Sequence, residues 1–471
     1  MKKIINSTLA ITLVILVAGC TDVLNQVPVS ALTQSSFFQN AADAEAAIIT
    51  GYDALQGDDV RHIAWGDARA DNLRVPVNEI GITDGGVLDF QNDNISTSSG
   101  YATWSRFYSG INKVNNVLAQ VPTIKSPTIT SVRDRIMGEA YFLRALNYFY
   151  LVRLWGAVPL VLEPTLSLDK NLQPARTPAD KIQDQLIADL KQAEKLLPVS
   201  YASTIETRGR ATQGAAQALL AKVYLWRSSY NQTNEWQLAA DYAAKVIANT
   251  TYSLVSGANY STIFRTKNTS ESIFELQYNY NNQETNGLSA YFLPRSSKVT
   301  TGGNQTVIPT QKLVDAFEPG DLRKAASFYT SDPATDQFPN LPTVAKYLGT
   351  VVGTTRYSDS NLILLRLADV ILMQAEALAQ VGQTAPSIAL VNRIRNRAGL
   401  ANTTATSKDA VLLAIEQERF VELCFEGHRW YDLLRTGRAK AVLGVDKKAL
   451  MPVYFTEIQL NPNLLPQNPG Y

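Results

Sequence analysis

Reactive side chains are densest between Asp409 and Gly437, where Glu416, Glu418, Arg419, Glu422, Glu426, His428, Arg429, Asp432 and Arg435 share one stretch. Carboxylates, a histidine and arginines this close are the parts of a hydrolytic acid–base centre. They are equally the parts of a paired ionic network that seats a helix. Leu412, Ile415, Phe420, Leu423 and Cys424 recur on or near one face of the same stretch, as an amphipathic helix requires. Other chemistries find less material. His62 and His428 are the only histidines, too few for a multi-histidine metal centre, and no cofactor is expected. Of the two cysteines, Cys424 lies in an apolar run and reads as a core thiol, which leaves little support for nucleophilic catalysis. The run Asn92-Asp93-Asn94 lacks the glycine and terminal glutamate of a calcium-binding EF-hand loop.

Composition narrows the classes further. Lys and Arg number 43 against 42 Asp and Glu, a net charge of +1, which argues against nucleic-acid binding by charge alone. Twenty-one tyrosines and six tryptophans suit interfaces and sugar rings, although core packing is the commoner use.

The first twenty residues read as an address. Lys2 and Lys3 precede a short apolar segment, Leu9 to Val17, too short to span a bilayer. Leu-Val-Ala-Gly-Cys then ends at Cys20, and small residues before a cysteine resemble the bacterial lipobox. The expectation is a lipoprotein signal peptide over residues 1–19, a lipid on Cys20, and a lipidated tether over 20–40. No other segment has eighteen consecutive apolar residues.

The elements that must position the charged stretch are helices in pairs. Residues 41–55 pair with 101–121, 132–155 with 178–197, 211–226 with 234–247, and 362–380 with 386–398. Small residues recur at the crossings, as in Ala215, Ala218, Ala239, Ala243, Ala375 and Ala379. Such pairs are the mark of tetratricopeptide-like stacking, here without a strict period. Thr177-Pro178-Ala179-Asp180 reads as a helix start and Gly399 as a helix end. The fold class is therefore mainly α, about four helix pairs forming a scaffold under an irregular, loop-rich lobe. The scaffold takes residues 41–55, 101–248 and 360–437, and the lobe takes 57–100 and 250–358. Within the lobe Ser272 to Tyr280 alternates like a strand. One domain is expected over 41–471.

At this point the chain resembles the SusD/RagB outer-membrane lipoproteins of Bacteroidetes-type bacteria. The resemblance rests on the lipobox followed by T-D-V-L-N-Q-V-P, R-L-W-G-A-V-P-L at 153–160, and A-L-L-A-K-V-Y-L-W at 218–226. It continues through L-R-L-A-D-V-I-L-M-Q-A-E-A-L at 365–378, V-N-R-I-R-N-R-A-G-L at 391–400, E-R-F-V-E-L-C-F-E-G-H-R-W-Y-D-L-L-R at 418–435, and a closing Q-N-P-G-Y. It implies a lipid-anchored protein at the cell surface that holds a glycan, or sometimes a peptide, without catalysis. It also implies a partner, a TonB-dependent transporter of the SusC type.

A sugar binder needs flat rings for the apolar sugar face and Asp, Asn, Gln or Arg for its hydroxyls. Two loop regions supply both. The first offers Trp65, Asp67, Asp71 and Asn72; the second offers Tyr278, Tyr280, Asn281, Asn282, Tyr291, Phe292 and Arg295. The plainer reading packs Trp65 and Phe292 against the scaffold and leaves the polar residues to solvate loops. Two rival functions stay open. A helical glycoside hydrolase would need two carboxylates facing a cleft, with Asp67 and Asp71 as loop candidates. A tetratricopeptide-type adaptor would bind peptides along an open groove, against which the long insertion after the third pair argues. The charged stretch from Asp409 then reads as a seat, paired against the helix of Arg393, Arg395 and Arg397.

Overall fold

The computed structural model describes residues 37–165, 172–299 and 303–471. The signal segment and Cys20 lie outside them. The protein is mainly α. Its scaffold helices are α1 (Ala41–Asp53), α2 (Ser105–Gln120), α3 (Arg133–Trp155), α4 (Ala179–Leu196), α5 (Gln213–Tyr230), α6 (Trp236–Ala248), α7 (Leu367–Gln380), α8 (Thr384–Arg397), α9 (Lys408–Glu422) and α10 (Arg429–Arg435). All four expected pairs pack: α1 on α2, α3 on α4, α5 on α6 and α7 on α8. Successive pairs also touch, through α2 and α3, α4 and α5, and α6 and α7. The stack therefore runs on from α6 to α7 even though the whole second lobe segment is inserted between them.

Local chemistry explains where the helices begin and how closely they pack. Asn40 caps α1, accepting from the amides of Ala42 and Asp43 while Asp43 reaches back to the Asn40 amide. Thr212 Oγ1 caps α5 by accepting from Ala215 N. In α5 the alanines 215, 216, 218 and 221 are all fully buried, and in α7 so are Ala368, Ala375 and Ala379. The start of α4 differs from expectation. Pro178 occupies the cap position without a side-chain cap, and Thr177 instead forms a β-bridge with Val158.

Short antiparallel ribbons tie the lobe together: β1 (Leu73–Arg74), β2 (Ser272–Leu276), β3 (Ile308–Pro309), β4 (Phe328–Thr330), β5 (Pro342–Val344), β6 (Thr350–Val352), β7 (Thr355–Tyr357) and β8 (Leu362–Arg366). The pairs are β1–β3, β2–β8, β4–β5 and β6–β7. Two expectations change here. Ser272 begins a strand, but it ends at Leu276 and all five residues are buried. Leu362–Arg366, expected to open a helix, is the partner strand, and α7 starts only at Leu367. A short apolar run such as Leu-Ile-Leu-Leu has no period that separates a buried strand from a buried helix. The segment expected as loop over 57–100 holds a helix at Asp59–Ile63, a π-helical turn at Ala64–Ala68 and a helix at Gly85–Asn92. Its Asp residues serve as helix ends: Asp84 accepts from Gly86 N and Val87 N, and Asp93 closes the same helix in the left-handed conformation.

The charged stretch is a seat built of buried pairs. Glu422 accepts from Arg366 Nη1 at 2.6 Å, Arg397 Nη2 at 2.5 Å and Arg323 Nη1 at 3.0 Å. Glu426 accepts from Arg366 Nε at 2.6 Å and Lys346 Nζ at 2.7 Å. Burial alone would raise the Glu422 pKa, but Arg397, Arg366 and Arg323 hold it well below the ordinary carboxylate range. The partners differ in part from those expected. Arg395 and Arg397 do reach Glu418 and Glu422, whereas Arg393 is exposed, Arg419 pairs with Asp369 and Asp432, and Arg429 turns to Asp71, with Glu416 at 3.8 Å.

Candidate ligand-binding site

The two loop regions singled out by composition come together, though most of the named side chains face inward. Trp65 is fully buried; its indole N–H donates to Tyr101 O at 2.9 Å and its ring meets His62, Phe107 and Trp155. Asp67 is also fully buried, accepting from Gly427 N at 2.6 Å and from the buried Asn72 amide at 2.7 Å. Burial pushes its carboxyl up to about 7 despite those donors. Asp71 is held by Arg429, Nε to Oδ1 at 2.7 Å, and by Lys312 at 2.8 Å. Burial opposes its ionisation, yet these two cations leave its pKa below the usual value.

In the second region Tyr278 is buried and donates its hydroxyl to Asp59. Tyr291 is buried, and Phe292 is fully buried, stacked on Tyr347 with centroids 5.4 Å apart. Trp65, Asp67, Asn72, Tyr278, Tyr291 and Phe292 are thus corrected from surface contacts to core and clamp residues. The physical reason is that the loops need an apolar underside to stay ordered, and these rings supply it. Asp67 and Asp71 do not form a cleft pair of carboxylates either, since each is spent on the segment from Gly427 to Arg429. Tyr280, half-buried, and the exposed Asn281, Asn282 and Arg295 remain at the surface.

What the meeting of the regions creates is an open cleft of about 520 Å³. Asp59, Val60 and Arg61 form one side, Tyr101 lies beside them, and Thr285, Asn286 and Gly287 face them. Gly287 allows the approach, because a Cβ there would lie 2.8 Å from Val60 Cγ2. The polar groups are held before any ligand arrives. Tyr101 donates its hydroxyl to Asp84 at 2.5 Å, and Arg61 reaches Thr103 and Asp58, each at 3.2 Å. Asn286 N donates to Ser358 O and its amide to Ser360 O, both at 2.7 Å. In the segment that leads to Thr285, the bridge between Asn279 and Glu284 accompanies a stack of Tyr280 on Tyr357, centroids 4.8 Å apart and planes at 25°. Tyr357 belongs to β7 and precedes Ser358, whose carbonyl accepts from Asn286 N, so the backbone ties the stacked pair to the Asn286 wall.

Composition missed Asp59, Arg61, Tyr101, Asn286 and Tyr357. A signal for Tyr357 did exist: Val351-Val352-Gly353-Thr354-Thr355 has the pattern of a tight hairpin that would project the next residues.

Residues 343–449 match a family profile described as "SusD family", and residues 67–225 match one described as "Starch-binding associating with outer membrane". Together the two stretches make up more than half of the 471 residues. The chain belongs to the SusD/RagB family. It is 28% identical to a SusD-like protein of Formosa agariphila, over 98% of this chain and 99% of that one. Among solved structures, a laminarin-binding SusD-like protein superposes at TM-score 0.78 with 27% identity, covering 92% of this chain and 100% of the other. A SusD superfamily protein of Parabacteroides distasonis superposes at TM-score 0.79 with 29% identity and the same coverage. This SusD-family chain shares that fold, its cleft formed by the connection between α1 and α2 and by Thr285–Gly287 of the inserted segment.

Proposed function

We propose that this protein binds a glycan in the cleft between Arg61, Tyr101 and Asn286, with the Tyr280–Tyr357 stack as a platform for the next sugar. On this reading it is a lipid-anchored surface protein, held at the outer membrane through Cys20. It delivers its ligand to a TonB-dependent transporter of the SusC type and has no catalytic step of its own. Residues 41–471 act as a single domain, the helix pairs serving as scaffold for the lobe.

The observation that carries the reading is the cleft itself, open and lined by the internally held Arg61, Tyr101 and Asn286, with the half-buried Tyr280–Tyr357 stack tied to it through Ser358. Rings of this kind suit the C–H face of a sugar, and fixed side chains suit its hydroxyls without a large ordering cost. The starch-binding family that residues 67–225 match and the laminarin-binding structural relative support the same ligand class. The test is a glycan array followed by calorimetric titration of the best ligand. Replacing Tyr280 and Tyr357 together with Ala should weaken binding about tenfold, roughly 1.4 kcal/mol, while leaving the unfolding midpoint near its original value. Unchanged affinity would retire the platform, and release of new reducing ends during long incubation would retire the non-catalytic assignment.

A further inference from the structure

A second cavity, of about 700 Å³, lies elsewhere, where the ends of α5 and α6 meet α7, α9 and α10. It shares no lining residue with the cleft. Its walls include Trp236, Tyr230 and Leu413, of which Tyr230 is 37% and Leu413 53% exposed. Its floor is Glu376, Arg435 and Asp432, fixed to one another. Arg435 donates to both Glu376 oxygens at 2.5 and 2.7 Å and to Asp432 at 2.9 and 3.0 Å.

We infer that this cavity is a second binding site, on the helix pairs and not on the lobe, for a short neutral saccharide. The inference rests on the reading of the protein as a glycan binder and adds a site to it. Its volume lies within the range of ligand pockets. The lining as a whole carries no net charge, since Glu376, Asp409, Glu416 and Asp432 are matched by Arg419, Arg429, Arg435 and Arg438, and burial makes separating the pairs of the floor expensive. An anionic or cationic ligand would have to break those pairs. Hydroxyls instead can use the lone pairs and protons that the paired groups still present. Trp236 supplies a flat apolar wall, and Gln232 and Gln380 at the mouth supply amides that both donate and accept.

The experiment uses a further property of Trp236. The other five tryptophans, Trp65, Trp104, Trp155, Trp226 and Trp430, are all at most 4% exposed, whereas Trp236 is only partly buried. Acrylamide quenching of the full-length protein in detergent therefore reports mainly on Trp236. The probes are neutral oligosaccharides: maltoheptaose, laminarihexaose, xylohexaose and mannohexaose. With a probe that binds, the quenching constant is expected to fall at least threefold, and calorimetry to give two sites. The protection should persist in the Tyr280→Ala, Tyr357→Ala double variant, and Trp236→Phe should reduce the stoichiometry from two to one. A probe that binds once and leaves quenching unchanged overturns the second site and leaves the cleft reading intact. Protection that vanishes in the tyrosine double variant overturns it too, because Trp236 would then be sensing the cleft. If no probe binds at either place, both readings fail together.

Discussion

Arg429 Nε lies 2.7 Å from Asp71 Oδ1, and a second bond at 3.1 Å joins Nη2 to Oδ2, so the start of the short helix α10 grips the loop that follows the π-helical turn. Both side chains are nearly buried, at 7% and 8% exposure. The guanidinium also lies 4.3 Å from the Phe420 ring, which fixes its plane. The residue that looks most catalytic by company is a bolt between scaffold and lobe. Removing one partner of a buried pair leaves the other charged and unpaired, a loss of roughly 3 kcal/mol. Arg429→Ala should therefore lower stability by about that amount in urea unfolding, with Lys312 still partly compensating Asp71. Folded Arg429→Ala protein should keep its glycan affinity at the Arg61–Asn286 cleft, which Arg429 does not line. A variant of full stability that binds nothing would make Arg429 a ligand contact instead.

Trp65 and the Tyr280–Tyr357 stack should behave in opposite ways. Trp65 sits among three rings and satisfies its indole N–H internally, so Trp65→Ala opens a cavity at a cost of about 3–5 kcal/mol. Its effect on binding should appear only through the fraction that unfolds. Alanine at Tyr280 and Tyr357 should do the reverse, weakening affinity at unchanged stability. Titration at a temperature well below the unfolding midpoint separates the two cases.

His428 makes a prediction about pH. It is buried against Lys222, with Nδ1 3.4 Å from the ammonium, and Asp369, Arg419 and Asp432 also act on it. Burial first, and Lys222 next, push its pKa down to about 3 from 6.5. The folded state thus keeps His428 neutral where the unfolded state takes up a proton. Its contribution is complete above pH 6.5 and is lost as pH falls toward 3. Between pH 7.5 and 5.0 the stability advantage of the parent over His428→Gln should shrink by about 2 kcal/mol, at about 1.4 kcal/mol per pH unit below 6.5. Urea unfolding of both proteins at the two pH values checks it. An advantage that stays constant would place the proton on His428 in the folded state.

How much of this was legible depended on whether the signal was local. The helix pairs were readable because alanines at helical spacing mark both the helix and the face that packs, as in Ala215 and Ala218 of α5. The meeting of the two loop regions followed from their shared composition. What composition could not decide was orientation. Trp65 and Tyr280 stand in similar aromatic and polar company, yet one ring is fully buried and the other only half-buried. The choice is made by distant partners, Phe107 and Trp155 for the first and Tyr357 for the second. The Asp71–Arg429 pair spans 358 positions, and nothing near either residue names the other. Leu362–Arg366 became a strand because β2 lay ready to pair with it, a tertiary choice that its own sequence leaves open.

Two glycines bring these long-range choices to a test. A Cβ on Gly66 would fall 2.1 Å from Gly427 O, a backbone atom in the turn that Asp67 also holds. A Cβ on Gly287 would fall 2.8 Å from Val60 Cγ2, a side-chain methyl at the edge of the open cleft. The first clash can be relieved only by moving one backbone away from the other, whereas the second needs a rotation or small shift of one valine. Gly66→Ala should therefore cost about 3 kcal/mol or prevent folding. Gly287→Ala should cost under about 1 kcal/mol and act on function instead. By pushing the wall of Thr285 and Asn286 away from Val60, it should widen the cleft and weaken glycan binding several-fold. Unfolding curves and calorimetric titrations of the two variants, side by side, distinguish a seam of the scaffold from a wall of the site. Equal losses of stability in both, or unchanged affinity in Gly287→Ala, would mean that the cleft wall does not set the fit of the ligand.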